Sequence, residues 1–144
     1  MTGIPPFLKD EHKPPCAALL GWRFVDARPE EGWIRIAFDG KPEFCNPAGF
    51  IQGGLLAAML DDTMGPAVLV HTRGALYTVT IDLNIQFIGA ARPGPIFGEA
   101  KVVQLGKTIG FVEGQLTDSE GRLIARATAS ARLVPTEKAL AQKS

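Results

Sequence analysis

From Leu55 to His71 the chain reads as a helix with no polar face in its first half. Leu55, Leu56, Ala57, Ala58, Met59 and Leu60 would cover every side of a helix, and Ala67 to Val70 resume the pattern. A helix that is apolar all round is one buried on all sides. Gly65-Pro66 is expected to kink or loosen it, because proline has no N–H to give and crowds the preceding turn. The rest of the chain must therefore wrap one central helix.

The wrapping is legible downstream. Between Thr78 and Phe87, apolar Val79, Ile81, Leu83, Ile85 and Phe87 alternate with Thr78, Thr80, Asp82, Asn84 and Gln86. A period of two predicts a half-buried strand. Pro93-Gly94-Pro95 breaks it, and three more strands are predicted over 96–105, 108–117 and 122–133. Gly106-Lys107 and Asp118-Ser119-Glu120-Gly121 separate them as hairpin turns. Upstream, a short helix over 16–21 precedes two strands, 22–27 and 33–38, joined by a turn at 29–32, and 41–49 has loop chemistry. The fold class is α+β: one antiparallel sheet curled around one apolar helix, the last four strands forming a meander. Its edges invite dimerisation. Residues 1–15, with four prolines, read as an irregular lead-in, 16–134 as the single domain, and 135–144 as a frayed polar tail.

Composition excludes several function classes. Lys+Arg and Asp+Glu balance at 15 each, so no global field recruits nucleic acid or an anionic membrane. No stretch reads as long and apolar enough to span a bilayer, and the first residues lack a signal peptide's basic start and apolar run, so the expected compartment is the cytoplasm. Cys16 and Cys45 suit neither a disulfide framework nor a zinc site and read as reduced thiols. His12 and His71 read as surface or loop residues. Neither metal nor cofactor is expected.

Chemistry concentrates in Asn46-Pro47-Ala48-Gly49-Phe50-Ile51-Gln52-Gly53-Gly54, which runs into the apolar helix with Asp61 and Asp62. Two glycines at a helix start are either a plain turn or an approach for a ligand to unpaired N–H groups at the positive end of the dipole. Two carboxylates inside an apolar helix need a partner, solvent or a task. Adjacent helical positions point about 100° apart, so the two aspartates do not face one site equally.

In order and spacing, Asn46, Gln52, Gly53, Gly54 and Asp61 resemble the active-site segment of hotdog-fold thioesterases of the PaaI-like, phenylacetate-pathway type. In that family an Asn precedes a His-Gly-Gly by six residues, and the catalytic Asp follows the first Gly by eight. The spacings here are the same. Thr80-Ile81-Asp82-Leu83-Asn84 and Gly106-Lys107-Thr108 extend the likeness over roughly residues 16–134. The departure is Gln52, which stands where the family has His and offers an amide in place of an imidazole.

The resemblance implies a hotdog fold and hydrolysis of an acyl- or aryl-CoA thioester. By the same likeness, the Gly53 N–H serves as oxyanion donor and Asp61 as general base or nucleophile. Asn46 and Gln52 orient the substrate, and Thr80 holds a water. Gly54, Met59 and Met64, with Leu56 and Leu60, would line the acyl site, while Arg92 and Lys107 are candidate cations for the CoA phosphates. The family places the site between subunits of a homodimer or a dimer of dimers. Two readings compete with hydrolysis: a non-catalytic acyl-CoA or aromatic-ligand binding module, left open by Gln52, and enoyl-CoA hydration. A purely structural dimerisation domain gives no reason for the two aspartates.

Overall fold

The computed structural model describes Leu8 and residues 13–141; His12 and the last three residues of the tail lie outside them. A short helix α1 (Pro15–Leu20) leads into β1 (Arg23–Arg28) and β2 (Trp33–Gly40), joined through a 3₁₀ turn at Pro29–Glu31. The long helix α2 (Gly53–His71) follows. Then come β3 (Leu76–Phe87), β4 (Gly94–Leu105), β5 (Ile109–Asp118) and β6 (Leu123–Pro135), and a one-turn helix α3 (Thr136–Leu140). The six strands form one antiparallel sheet in the order β1-β2-β4-β5-β6-β3, curled around α2. This is the hotdog architecture.

The core lies between helix and sheet. Met59, Leu60, Met64, Ala67 and Val68 on α2 are buried against Ile34, Ile36 and Phe38 of β2, Ile96 of β4 and Leu116 of β5. The approach is close at Gly98, where an added Cβ would lie 2.3 Å from the Thr63 hydroxyl oxygen. A side chain there would have to displace Thr63, whose hydroxyl is bonded to the Met59 carbonyl, or part the helix from the sheet.

Several expectations are corrected. The last four strands are not a simple meander, since β3 pairs with β6 at the sheet edge rather than with β4. Pro93 and Pro95 bring no N–H to a hairpin ladder, and the intervening segment instead ties to the site loop through Ile51 N–H to the Ala91 carbonyl at 2.8 Å. Helix α2 runs without interruption through Gly65-Pro66. Pro66 cannot donate to the carbonyl of Asp62 four residues back, and the Trp22 indole N–H donates to that oxygen instead, at 3.0 Å. The helix is not buried on every side either, because the sheet encloses only part of it. Gly54, Ala58 and Asp61 form an exposed stripe one or two turns apart. At 19 residues, with an 18-residue window of mean hydropathy 1.2, α2 also meets the length and composition of a membrane-spanning helix, contrary to the sequence expectation; here Met59, Leu60, Met64, Ala67 and Val68 are turned into the sheet.

The regular alternation of β3 hides a change of face. Register with β6 shifts between Thr80 and Asp82, leaving Ile81 as a bulge. Before the bulge, Thr78 and Thr80 turn toward α2 and leave Tyr77 and Val79 exposed. After it, Leu83 and Ile85 pack toward the core. The tail is ordered as far as α3, where the Thr136 N–H bonds the Ala75 carbonyl at 2.9 Å. His71 is half-buried, its Nδ1 2.8 Å from the Pro29 carbonyl oxygen.

Candidate active site

The loop before α2 is built by Asn46. Its Oδ1 accepts from the N–H groups of Ala48 at 3.0 Å and Phe50 at 3.1 Å, while its own N–H bonds the Phe50 carbonyl at 2.7 Å. Gly49, at φ 87°, supplies the left-handed residue that closes this turn. Asn46 thus shapes the loop with its oxygen, and its side-chain NH₂ has no acceptor among the described residues. A bridge from Cys45 to Ile51 and the Gln52 N–H to the Phe44 carbonyl, at 2.9 Å, seat the loop at the helix start.

Gln52 is the N-cap. Its backbone is extended, and its Oε1 accepts the Gly54 N–H at 2.6 Å. Its carbonyl accepts from Leu55 at 3.0 Å and Leu56 at 3.2 Å. Of the first-turn donors, only the Gly53 N–H is left without an acceptor among the described residues. Nothing in the fold demands glycine at this position. Its φ is not positive, and an added Cβ would meet only the tip of the Phe87 ring, at an ordinary 3.4 Å. A free N–H at the positive end of a 19-residue helix, beneath an open Cα, is suited to a developing oxyanion.

Asp61 lies on the exposed stripe of the same helix. The Thr80 hydroxyl donates to its Oδ1 at 2.8 Å, a contact made possible by the face change at Ile81. Eight residues separate Asp61 from Gly53, about 12 Å along the axis. Reacting groups must come within roughly 3–3.5 Å of the substrate atoms they act on, so Gly53 and Asp61 of one chain do not converge on one carbonyl.

Asp62 points elsewhere. Its Oδ2 is buried and has no hydrogen-bond partner. Burial, and secondarily the charge of Asp61, push its acid up to about 7 from 3.8. An acid raised in the folded state stabilises the fold below its unfolded value, and that stability drains away as pH rises through the folded one. Between pH 5 and pH 8 the protein is therefore expected to lose on the order of 2 kcal/mol of stability through this group. Melting curves at one-unit pH steps should show the decline, and Asp62→Asn should flatten it. An unchanged slope in the variant would assign the decline elsewhere.

The remaining predicted site residues scatter. Arg92 is exposed, its guanidinium 4.9 Å from the centroid of the Phe50 ring, and no carboxylate pairs with it among the described residues. It borders a cleft of about 440 Å³ shared with Asp118 and Arg122, whose guanidinium is held by Asp118 at 2.9 Å. Lys107 is exposed in the turn at the far end of β4, a twelve-residue strand roughly 40 Å long, so one chain does not bring the two cations together. Met59 (0% exposed) and Met64 (2%) are sealed in the core, as are Leu56 and Leu60, and none reaches the surface around Asp61. Gly54 is exposed, with its N–H taken by Gln52.

A family profile described as "Thioesterase superfamily" matches residues 48–125, from the site loop through β3 into β6. The chain belongs to that superfamily. It is 31% identical to a provisionally named esterase of Saccharolobus solfataricus over 119 residues, 81% of this chain and 84% of that protein. Human acyl-coenzyme A thioesterase 13 is 37% identical over 86 residues, 58% of this chain and 61% of the human one. Among solved structures, a provisionally named thioesterase from Ralstonia eutropha JMP134, described as phenylacetic acid degradation-related, superposes with a TM-score of 0.80 at 31% identity. That match covers 88% of this chain and 96% of the other. Thioesterase HI1161 of Haemophilus influenzae shares the fold, with a TM-score of 0.82 at 18% identity. The chain is a thioester hydrolase of the hotdog fold. Two aromatic residues beside the loop and the helix start do not stand out in the sequence pattern. Phe87 caps the approach to Gly53, and Phe50 carries Arg92. The signal for Phe87 was its place as the last apolar residue of the alternating strand.

Proposed function

We propose that the chain hydrolyses an acyl-coenzyme A thioester to the free acid and coenzyme A, with a site shared between two subunits. The observation that carries this reading is the pair of complementary half-sites on α2. One end has the unbonded Gly53 N–H; two turns on is Asp61, exposed and held by Thr80. The Gly53 N–H of one subunit polarises the thioester carbonyl, and Asp61 of a second subunit faces it. Asp61 takes a proton from water as the water oxygen bonds to the carbonyl carbon, or attacks that carbon itself to form an anhydride that water opens. The tetrahedral oxyanion rests on Gly53, the C–S bond breaks, and the departing thiolate takes up a proton.

Edge strand β3 supports the shared site. Tyr77, Val79 and Ile81 are exposed beside Thr80 and Asp61, so covering this edge with a second copy would bury apolar surface and enclose the carboxylate together. Gln52 serves as the cap that spends the Gly54 N–H, and its free NH₂ is a second donor beside Gly53. The amide of Asn46 orients the substrate, and Arg92 receives a CoA phosphate. Release of free thiol from acyl-CoAs of graded chain length, and from aryl-CoAs, tests the proposal. Binding without thiol release would favour a ligand-binding module instead.

A further inference from the structure

Three apolar side chains of β3 beyond the bulge point to the helix side, and the last differs from the first two. Leu83 and Ile85 are packed against the core, whereas Phe87 keeps 54% of its surface exposed. Its ring tip stands over Gly53: a Cβ built there would lie 3.4 Å from Cζ and 3.5 Å from Cε1. The adjoining Ile88 is 51% exposed as well. A half-exposed aromatic ring gains little for the fold, yet this one borders the Gly53 N–H, the donor of the first helical turn that has no acceptor among the described residues. The ring flanks the Cα whose N–H would hold a carbonyl oxygen, so it is the apolar surface beside which the substituents of that carbonyl would come to lie.

We propose that Phe87 is a specificity-determining residue, its ring forming the wall against which the acyl group packs. This rests on Gly53 as the carbonyl-binding donor. The other substituent of the carbonyl is the thioester sulfur with its amide-bearing, phosphorylated arm, which has little to gain from an apolar face. The acyl group is the part whose apolar area varies, and it gains in proportion to the ring surface it covers. A planar frame gains most, because ring faces and edges pack in offset or edge-on geometry. The wall therefore favours aryl over acetyl thioesters.

The test compares wild type, Phe87→Leu and Phe87→Ala on acetyl-, hexanoyl- and benzoyl-CoA, with thermal melts to verify folding. The ratio of kcat/KM for benzoyl- over acetyl-CoA should fall about tenfold or more in Phe87→Ala, as loss of an apolar contact at a pocket wall does. Phe87→Leu should keep the hexanoyl preference and lose the benzoyl one. An unchanged benzoyl-to-acetyl ratio in both variants would overturn the inference. Affinities for the phenacyl and acetonyl thioethers of CoA, which carry a carbonyl but no cleavable thioester, read the same preference without chemistry. If wild type releases no thiol, the hydrolytic proposal fails on its own. The wall is then upheld by a phenacyl preference that Phe87→Ala removes, and overturned by equal affinities.

Discussion

Asp61→Asn is expected to lower kcat for thioester hydrolysis at least about a hundredfold, the scale of losing a general base or nucleophile. The substitution is nearly isosteric, and the amide oxygen can still accept the Thr80 hydroxyl now bonded to Asp61 at 2.8 Å. What disappears is the carboxylate itself. Asp61 is exposed and its pairing survives, so stability should shift by no more than about 0.5 kcal/mol. A small effect on Asp62 is expected, since the charge of Asp61 contributes to raising that acid, and its removal should ease Asp62 downward. Steady-state kinetics beside a melting curve separate catalytic loss from unfolding. Full activity in the variant would move the base elsewhere.

Gly53→Pro should be nearly as damaging to activity and almost silent in folding. Gly53 is the first residue of α2, the position where proline is best tolerated in a helix. Gln52 before it sits at φ −66°, ψ 138°, a conformation that a following proline accepts. The N–H that proline removes bonds to nothing among the described residues, so no internal hydrogen bond is given up. What is lost is the donor proposed for the oxyanion, and removing such donors costs about a hundred- to a thousandfold in kcat. Gly53→Ala keeps the N–H and should lose much less. Equal losses in the two would mean that bulk at this position, rather than the donor, matters.

A sheet curled around one central helix is legible in the residue pattern, whereas the hotdog fold is what the family resemblance implies. An apolar α2 and a strand alternating from Val79 to Phe87 leave little but a sheet wrapped on a helix. The pairing of β3 with β6 was not legible, since strand order depends on contacts between distant segments that no local pattern encodes. The bulge at Ile81 leaves the alternation of residue types untouched while it exchanges the faces, so Val79 appeared to belong to the core and is exposed. The break expected at Pro66 does not occur, because the Asp62 carbonyl that Pro66 cannot serve is taken by Trp22, forty residues before Asp62. At the candidate site, Gly53 and Asp61 are singled out by a family spacing that a helix holds fixed along itself, and Thr80 by its likeness to a strand position of the family. Neither says how Gln52 and Asn46 spend their oxygens, which depends on loop geometry. A place on the helix suggests Met59 and Met64 for the acyl site but does not fix their direction, which is inward.

A centre that takes Gly53 from one subunit and Asp61 from another would reassemble from a mixture of two inactive variants. Asp61→Asn retains a sound Gly53, and Gly53→Pro retains a sound Asp61. If the site is shared, a hybrid of the two holds one centre with both groups intact and one with neither. Random re-pairing of equal amounts in a symmetric dimer should then restore about a quarter of wild-type activity. Subunits are exchanged under mild denaturant and assayed for free-thiol release before and after. Recovery toward that level is the predicted result; activity that stays at the level of the separate variants, with exchange verified by a tagged subunit, would contradict it.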